Sequence, residues 1–426
     1  MRYIIVNMAI TLFFFSCSSL GPKKAEHNNH LSITKKKSDR VYMDFELINN
    51  LVVIPLRINN SDTLNFILDT GLRNTLISNL PSDTSFTLNY SKEVVVEGLG
   101  NNQPLPALLS KKNKIYMKGI RGDNEQVIVL MEDRFQFSSM MGKKIHGIIG
   151  AQVFKNFIVK IDYEKKRLTF YDPDLYATEY QKLKKSRKWE NVPITLHDSR
   201  PYLEAKICQI SGTDMNVKLL IDSGASHPVA LYTAASSEIV VPQPSIYSFL
   251  GNGLEGELYG EIGKVPSMYL GGFQIDYPVA FYPEEESIKK VLRIEGRHGA
   301  IGSELLKKFT IYFNYQDQSI LLRKNGFFNK PTRYNMSGIS LYAPIHDLRY
   351  YEISHIREHS PAYKAGLRAG DEVLEVNQQK VHIYTIGELL EYIHSRENNT
   401  IEFLIKREGK VKKIQMKLVD QLVVTH

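Results

Sequence analysis

Cysteine is nearly absent: the 426 residues hold two, Cys17 and Cys208. That excludes the disulfide framework that staples small secreted domains. Cys208 lies in a strand-like run, residues 205–210, where a small apolar side chain is expected rather than a nucleophile. A long hydrophobic run is also missing, because the apolar stretch from Ile4 to Phe15 falls short of the ~20 residues that a helical span needs. The twelve histidines include no His-Glu-x-x-His, so neither a metal site nor a cofactor is expected. Positive charge is in excess, at +8, but its clusters (Lys35–Lys37, Lys111-Lys112, Lys143-Lys144, Lys184-Lys185) have no aromatic residues between them. This argues against nucleic acid and for a solvated surface or attraction to an anionic membrane.

The N-terminus has the plan of a targeting segment, with Arg2 ahead of the apolar stretch and Phe14-Phe15-Ser16-Cys17 at its end. It resembles a bacterial lipoprotein signal, which implies lipidation of Cys17 after removal of the preceding residues. Phe14-Phe15 departs from the usual pattern, leaving plain secretion and an uncleaved anchor as alternatives. The expected organisation is a signal over 1–17 and a polar, basic tether over 18–43. The resemblance implies an extracytoplasmic protein held to the membrane by a lipid, as a periplasm-facing lipoprotein of a Gram-negative bacterium.

From residue 44 the texture is short apolar, β-branched runs between Gly, Asn and Asp turns, which predicts a mainly β body. An internal repeat runs through it. Phe66-Ile67-Leu68-Asp69-Thr70-Gly71 returns as Leu219-Leu220-Ile221-Asp222-Ser223-Gly224, 153 residues on (222 − 69). Gly98-Leu99-Gly100 returns as Gly251-Asn252-Gly253, and His146-Gly147-Ile148-Ile149-Gly150 as His298-Gly299-Ala300-Ile301-Gly302. The halves read as copies of one unit, over 44–175 and 176–327, with a hinge near 173–192.

Two Asp-Thr/Ser-Gly tripeptides, each after an apolar strand and each followed some eighty residues later by apolar-apolar-Gly, resemble the pepsin and retropepsin superfamily of aspartic proteases. The resemblance covers about residues 45–325 and implies a two-lobed acid-protease-type β-barrel fold with Asp69 and Asp222 as the catalytic pair. Facing carboxylates cannot both ionise, so they share a proton, and such a pair can activate a water against a peptide bond. Gly71 and Gly224 lack a Cβ and let the loops approach. The resemblance gives Thr70 and Ser223 the cross-loop hydrogen bonds, and it makes the glycine-rich tips at Gly98, Gly100, Gly251 and Gly253 flaps over a bound peptide. The apolar-apolar-Gly segments would support their catalytic loops, and His146 and His298 read as structural. Leu72, where the family has Ala or Ser, departs from the pattern. An impaired, peptide-binding scaffold is therefore the alternative, ahead of a serine protease.

The C-terminal part, 331–422, differs in character. Ser360-Pro361-Ala362 through Gly370-Asp371-Glu372-Val373 to Asn377 resembles the core of PDZ domains, and Gly338, Ile339, Ser340 and Leu341 resemble their carboxylate-binding loop, which implies a peptide ligand. Thr385-Ile386-Gly387-Glu388 reads as a capping box opening a helix with Ile386, Leu389, Leu390 and Ile393 on one face. The reading is thus a proteolytic β body acting on peptide or protein substrates, followed by a peptide-recruiting PDZ domain.

Overall fold

The computed structural model describes residues 30–423, apart from Lys36, 81–85, 101–102, 133–135, Glu295 and 395–398. The signal segment, Cys17 and the first part of the tether lie outside the described residues. The folded body begins earlier than expected. Ser32–Ile33 pairs with Ile120–Leu130, and Arg40–Asp44 pairs with Arg167–Tyr171, so the end of the anticipated tether is structured.

Alternating side chains build the first repeat. In the strand Leu51–Ile58, Val52, Ile54, Leu56 and Ile58 enter the main core, while Leu51 and Val53 face a second apolar cluster with Ile67 and Ile148. This strand joins Leu64–Leu68, Gly147–Ile149, Thr75–Ile77, Ile120–Leu130 and Leu105–Met117 in a closed β-barrel, the last two strands pairing to complete the ring. Residues 195–301 form a ten-stranded sheet with similar parts. In the first repeat Gly147–Ile149 runs parallel to the strand before Asp69, and in the second Arg297–Ile301 runs parallel to the strand before Asp222.

A six-stranded sheet ties the repeats together. Its central strands, Ile158–Asp162 and Phe309–Asn314, come one from each repeat and pair antiparallel through Val159↔Phe313 and Ile161↔Ile311. The main core runs unbroken from Leu31 to Leu322 across both repeats. The segment read as a hinge carries a helix. Pro173–Lys184 starts at Asp172, whose carboxylate accepts the Asp174 and Leu175 N–H groups, and it buries Tyr176 and Tyr180 against Tyr171, Tyr312 and Trp189.

The C-terminal module has its own sheet (Ile339–Tyr342, Tyr351–Ile356, Glu372–Val376, Thr400–Arg407, Lys410–Lys417) and its own core. Its turn signals are realised locally. Glu388 accepts the Thr385 N–H at 2.8 Å while Thr385 Oγ1 accepts the Glu388 N–H at 3.3 Å, a reciprocal capping box for helix Ile386–His394. Asp371, fully buried, binds Arg407 through both oxygens (2.6 and 2.7 Å) and the Arg368 N–H. The module is seated firmly on the second repeat: Tyr334 and Leu422 pack with Ile246, Ile262 and Val279, and Lys264 pairs with Asp420 at 2.7 Å.

Candidate active site

Asp69 and Asp222 each stand at the end of a buried strand, held by the strand beside it. The Asp69 N–H donates to the Ile149 carbonyl and the Asp222 N–H to the Ile301 carbonyl, both at 2.9 Å. The apolar-apolar-Gly segments therefore act as the supports the repeat suggested. Their glycines are required by contact, because a Cβ on Gly150 would lie 2.1 Å from the Leu72 carbonyl oxygen and one on Gly302 2.1 Å from that of His227.

The two Asp loops grip each other. Thr70 Oγ1 donates to the Ile221 carbonyl (2.6 Å) and accepts the Ser223 N–H (3.0 Å); Ser223 Oγ donates to the Leu68 carbonyl (2.9 Å) and accepts the Thr70 N–H (3.0 Å). Both side chains are wholly buried, so every polar group is spent on this reciprocal lock. Ser303, which sequence reasoning missed, donates from Oγ to the Ser223 carbonyl at 2.9 Å. Its repeat partner is Ala151, so nothing in the pattern marks it.

The lock brings the carboxylates face to face. A Cβ on Gly224 would fall 2.4 Å from Asp69 Cγ, and one on Gly71 3.1 Å from Asp222 Cγ, so each carboxylate lies over the other loop's glycine. Gly71 N–H donates to Asp69 Oδ1 at 2.6 Å and Gly224 N–H to Asp222 Oδ1 at 3.0 Å. Burial first, and then the negative charge of Asp222, hold the Asp69 carboxyl well above the usual carboxylate range, against the opposing pull of the Gly71 N–H. Both aspartates keep partial exposure. Tyr232 and His227 lie within the field of Asp222; burial raises the Tyr232 hydroxyl and pushes the His227 imidazole down to about 4.

Leu72 packs into the first repeat, among Leu51, Ile67, Met141 and Ile148 on one side and Leu76, Leu105 and Leu130 on the other. Its carbonyl accepts the Ala151 N–H at 2.8 Å. His146 and His298 are braces of one design: their Nδ1 atoms accept the N–H groups of Asn65 (3.1 Å) and Lys218 (3.0 Å), residues again 153 apart (218 − 65). Cys208 is half-buried at the end of its strand, less enclosed than expected.

Of the four flap candidates, Gly98 and Gly100, after strand Tyr90–Val96, and Gly253, closing strand Ile246–Gly253, lie where two tips touch, while Gly251 has open space around the place a Cβ would take. Glu255, beside the second tip, was not anticipated as a functional residue. A lone acid within the run Gly251–Gly256 was the available signal.

In the C-terminal module the loop residues are arranged around a cavity of about 810 Å³, lined by Ile339, Leu341 and Leu390 and, from the β body, by Met140, Phe249 and Asn252. Two of its amides are already engaged: Gly338 N–H donates to Asn335 Oδ1 (2.8 Å) and Ile339 N–H to Ser337 Oγ (3.1 Å). Further along, Ala343 N–H donates to the Ser139 carbonyl at 2.8 Å. A peptide carboxylate would have to replace the Asn335 and Ser337 side chains as acceptors, which the loop pattern did not reveal. Ser340 and Leu341 stand in the strand that borders the groove.

A PDZ-domain family profile matches residues 352–407. The chain thus carries a PDZ domain, which supports binding of a peptide or protein partner. No curated protein matches the chain.

Proposed function

We propose that the β body is an aspartic endopeptidase of the pepsin and retropepsin type, a two-lobed acid-protease fold built by duplication. The carrying observation is the reciprocal lock of Thr70 and Ser223, which sets the Asp69 and Asp222 carboxylates against one another. With one proton between them, the ionised carboxylate takes a proton from a water as its oxygen attacks the peptide carbonyl carbon. The protonated carboxyl gives its proton to the carbonyl oxygen, forming a gem-diol. Proton return to the leaving nitrogen and collapse of the diol break the C–N bond. The raised Asp69 carboxyl supports this division of labour, since a group held above the ordinary carboxylate range favours the protonated form that can act as the acid.

The PDZ domain would hold a peptide segment of the substrate or of a partner. Its groove is walled partly by Phe249 and Asn252 of the hairpin bearing the second tip, so a bound segment would lie against that hairpin. The N-terminal sequence supports tethering to a membrane through Cys17, on the extracytoplasmic side. The test is cleavage of a diverse peptide library across pH: Asp69→Asn and Asp222→Asn should each abolish it. Equal activity in wild type and either variant would refute the dyad.

The second reading, an inactive scaffold, rests on Leu72 alone. Leu72→Ala separates the two: a silent wild type that gains cleavage with this change would favour the scaffold.

A further inference from the structure

Each tip seats its leucine in the opposite repeat. Leu99, from the first, packs with Ala230, Tyr232 and Ile288 of the second; Leu254, from the second, packs with Leu76, Leu105 and Leu130 of the first. The backbones cross without room for side chains. A Cβ on Gly98 would lie 2.5 Å from Leu254 Cβ, one on Gly100 2.4 Å from the Glu255 carbonyl carbon, and one on Gly253 2.3 Å from the Leu99 carbonyl oxygen.

One side chain fastens the crossing. Glu255 is fully buried; its Oε1 accepts the Gly98 N–H at 3.0 Å, and its carboxylate pairs with Lys290 Nζ at 2.5 and 2.7 Å. Its own N–H donates to the Leu99 carbonyl at 2.8 Å, and Gly100 N–H donates to the Ser287 carbonyl at 3.0 Å. A buried carboxylate is tolerated only with its partners in place; Lys290 holds the Glu255 charge within its own repeat, and parting the tips takes the Gly98 N–H from it. The repeat supplies no second copy: 153 residues before Glu255 stands Asn102, and before Lys290 stands Phe137.

We propose that Glu255 and Lys290 form a one-sided clasp that holds the tips closed over the dyad in the free protein, so that a peptide reaches the aspartates only after the clasp opens. Glu255 is then a positioning residue that sets the rate of access, and it takes no part in the chemistry. The inference rests on the proteolytic reading for its consequence, but the clasp itself is measured without substrate.

The experiment is amide hydrogen exchange on the full chain, read at residues 98–100 and 253–256, for wild type, Glu255→Gln, Lys290→Met and Lys290→Arg. Exchange there should quicken by about tenfold or more in Glu255→Gln and Lys290→Met, with the strands under the dyad unchanged, and Lys290→Arg should stay near wild type. In the same two variants a statine-containing peptide inhibitor should associate faster. Unchanged tip exchange in both variants would overturn the clasp. Faster exchange in a protein that cleaves nothing would leave the clasp standing and sink the protease reading instead.

Discussion

At the scale of residues, the glycines of the two loops matter as much as the acids. A methyl group on Gly224 has nowhere to go but into the Asp69 carboxylate, 2.4 Å away, so Gly224→Ala should cut cleavage by about 100-fold through misplacement of the dyad. The fold should survive that change, and circular dichroism beside the rate measurement checks it. Asp69 carries a second consequence. Its carboxyl is held above the ordinary value of 3.8, so its contribution to stability is complete below that value and is lost as pH rises through the raised one. Asp69→Asn should therefore melt above wild type at neutral pH, and the difference should vanish in acid below the ordinary value; thermal unfolding across pH reads this directly. A variant that melts lower at neutral pH would contradict the strained pair.

At the scale of elements, the brace of the first repeat helps decide where acid attacks the fold. Burial pushes His146 down to about 4, and its neutral Nδ1 holds the Asn65 N–H of the strand leading to Asp69. A depressed imidazole lends stability above its ordinary value of 6.5 that is lost as pH falls toward about 4. His146→Gln should flatten that part of the stability profile while lowering stability at neutral pH. The capping box gives an independent check on the C-terminal helix: Thr385→Ala should cost about 1 kcal/mol in denaturant unfolding. The capping box was legible because its residues are neighbours in the chain, and the histidines because they recur in both repeats, although the residues they hold lie 81 and 80 positions away. The helix within the segment read as a hinge, 173–192, was missed for a complementary reason. Its basic surface residues look like a linker, whereas Tyr176 and Tyr180 anchor it to partners such as Tyr312, far away in sequence.

At the scale of the molecule, the chain is more continuous than a row of modules. The paired aspartates and their gripping hydroxyls could be read from spacing because the same tripeptide pattern recurs 153 residues on. The clasp could not, because Glu255 and Lys290 belong to one repeat only and act on a tip from the other. Nor could the seating of the PDZ domain, whose flanking residues Tyr334 and Leu422 cover Ile246, Ile262 and Val279. Removing residues 331–426 should therefore expose these side chains and lower the melting temperature of the remaining body, where an independent appendage would leave it unchanged.

The most direct measurement of the central claim is turnover of a diverse peptide library by wild type, Asp69→Asn and Asp222→Asn, each shown to be folded. Cleavage by wild type, confined to the pH range where the pair holds one proton and absent from both variants, is the predicted result. Persistent cleavage in either variant would contradict a shared dyad.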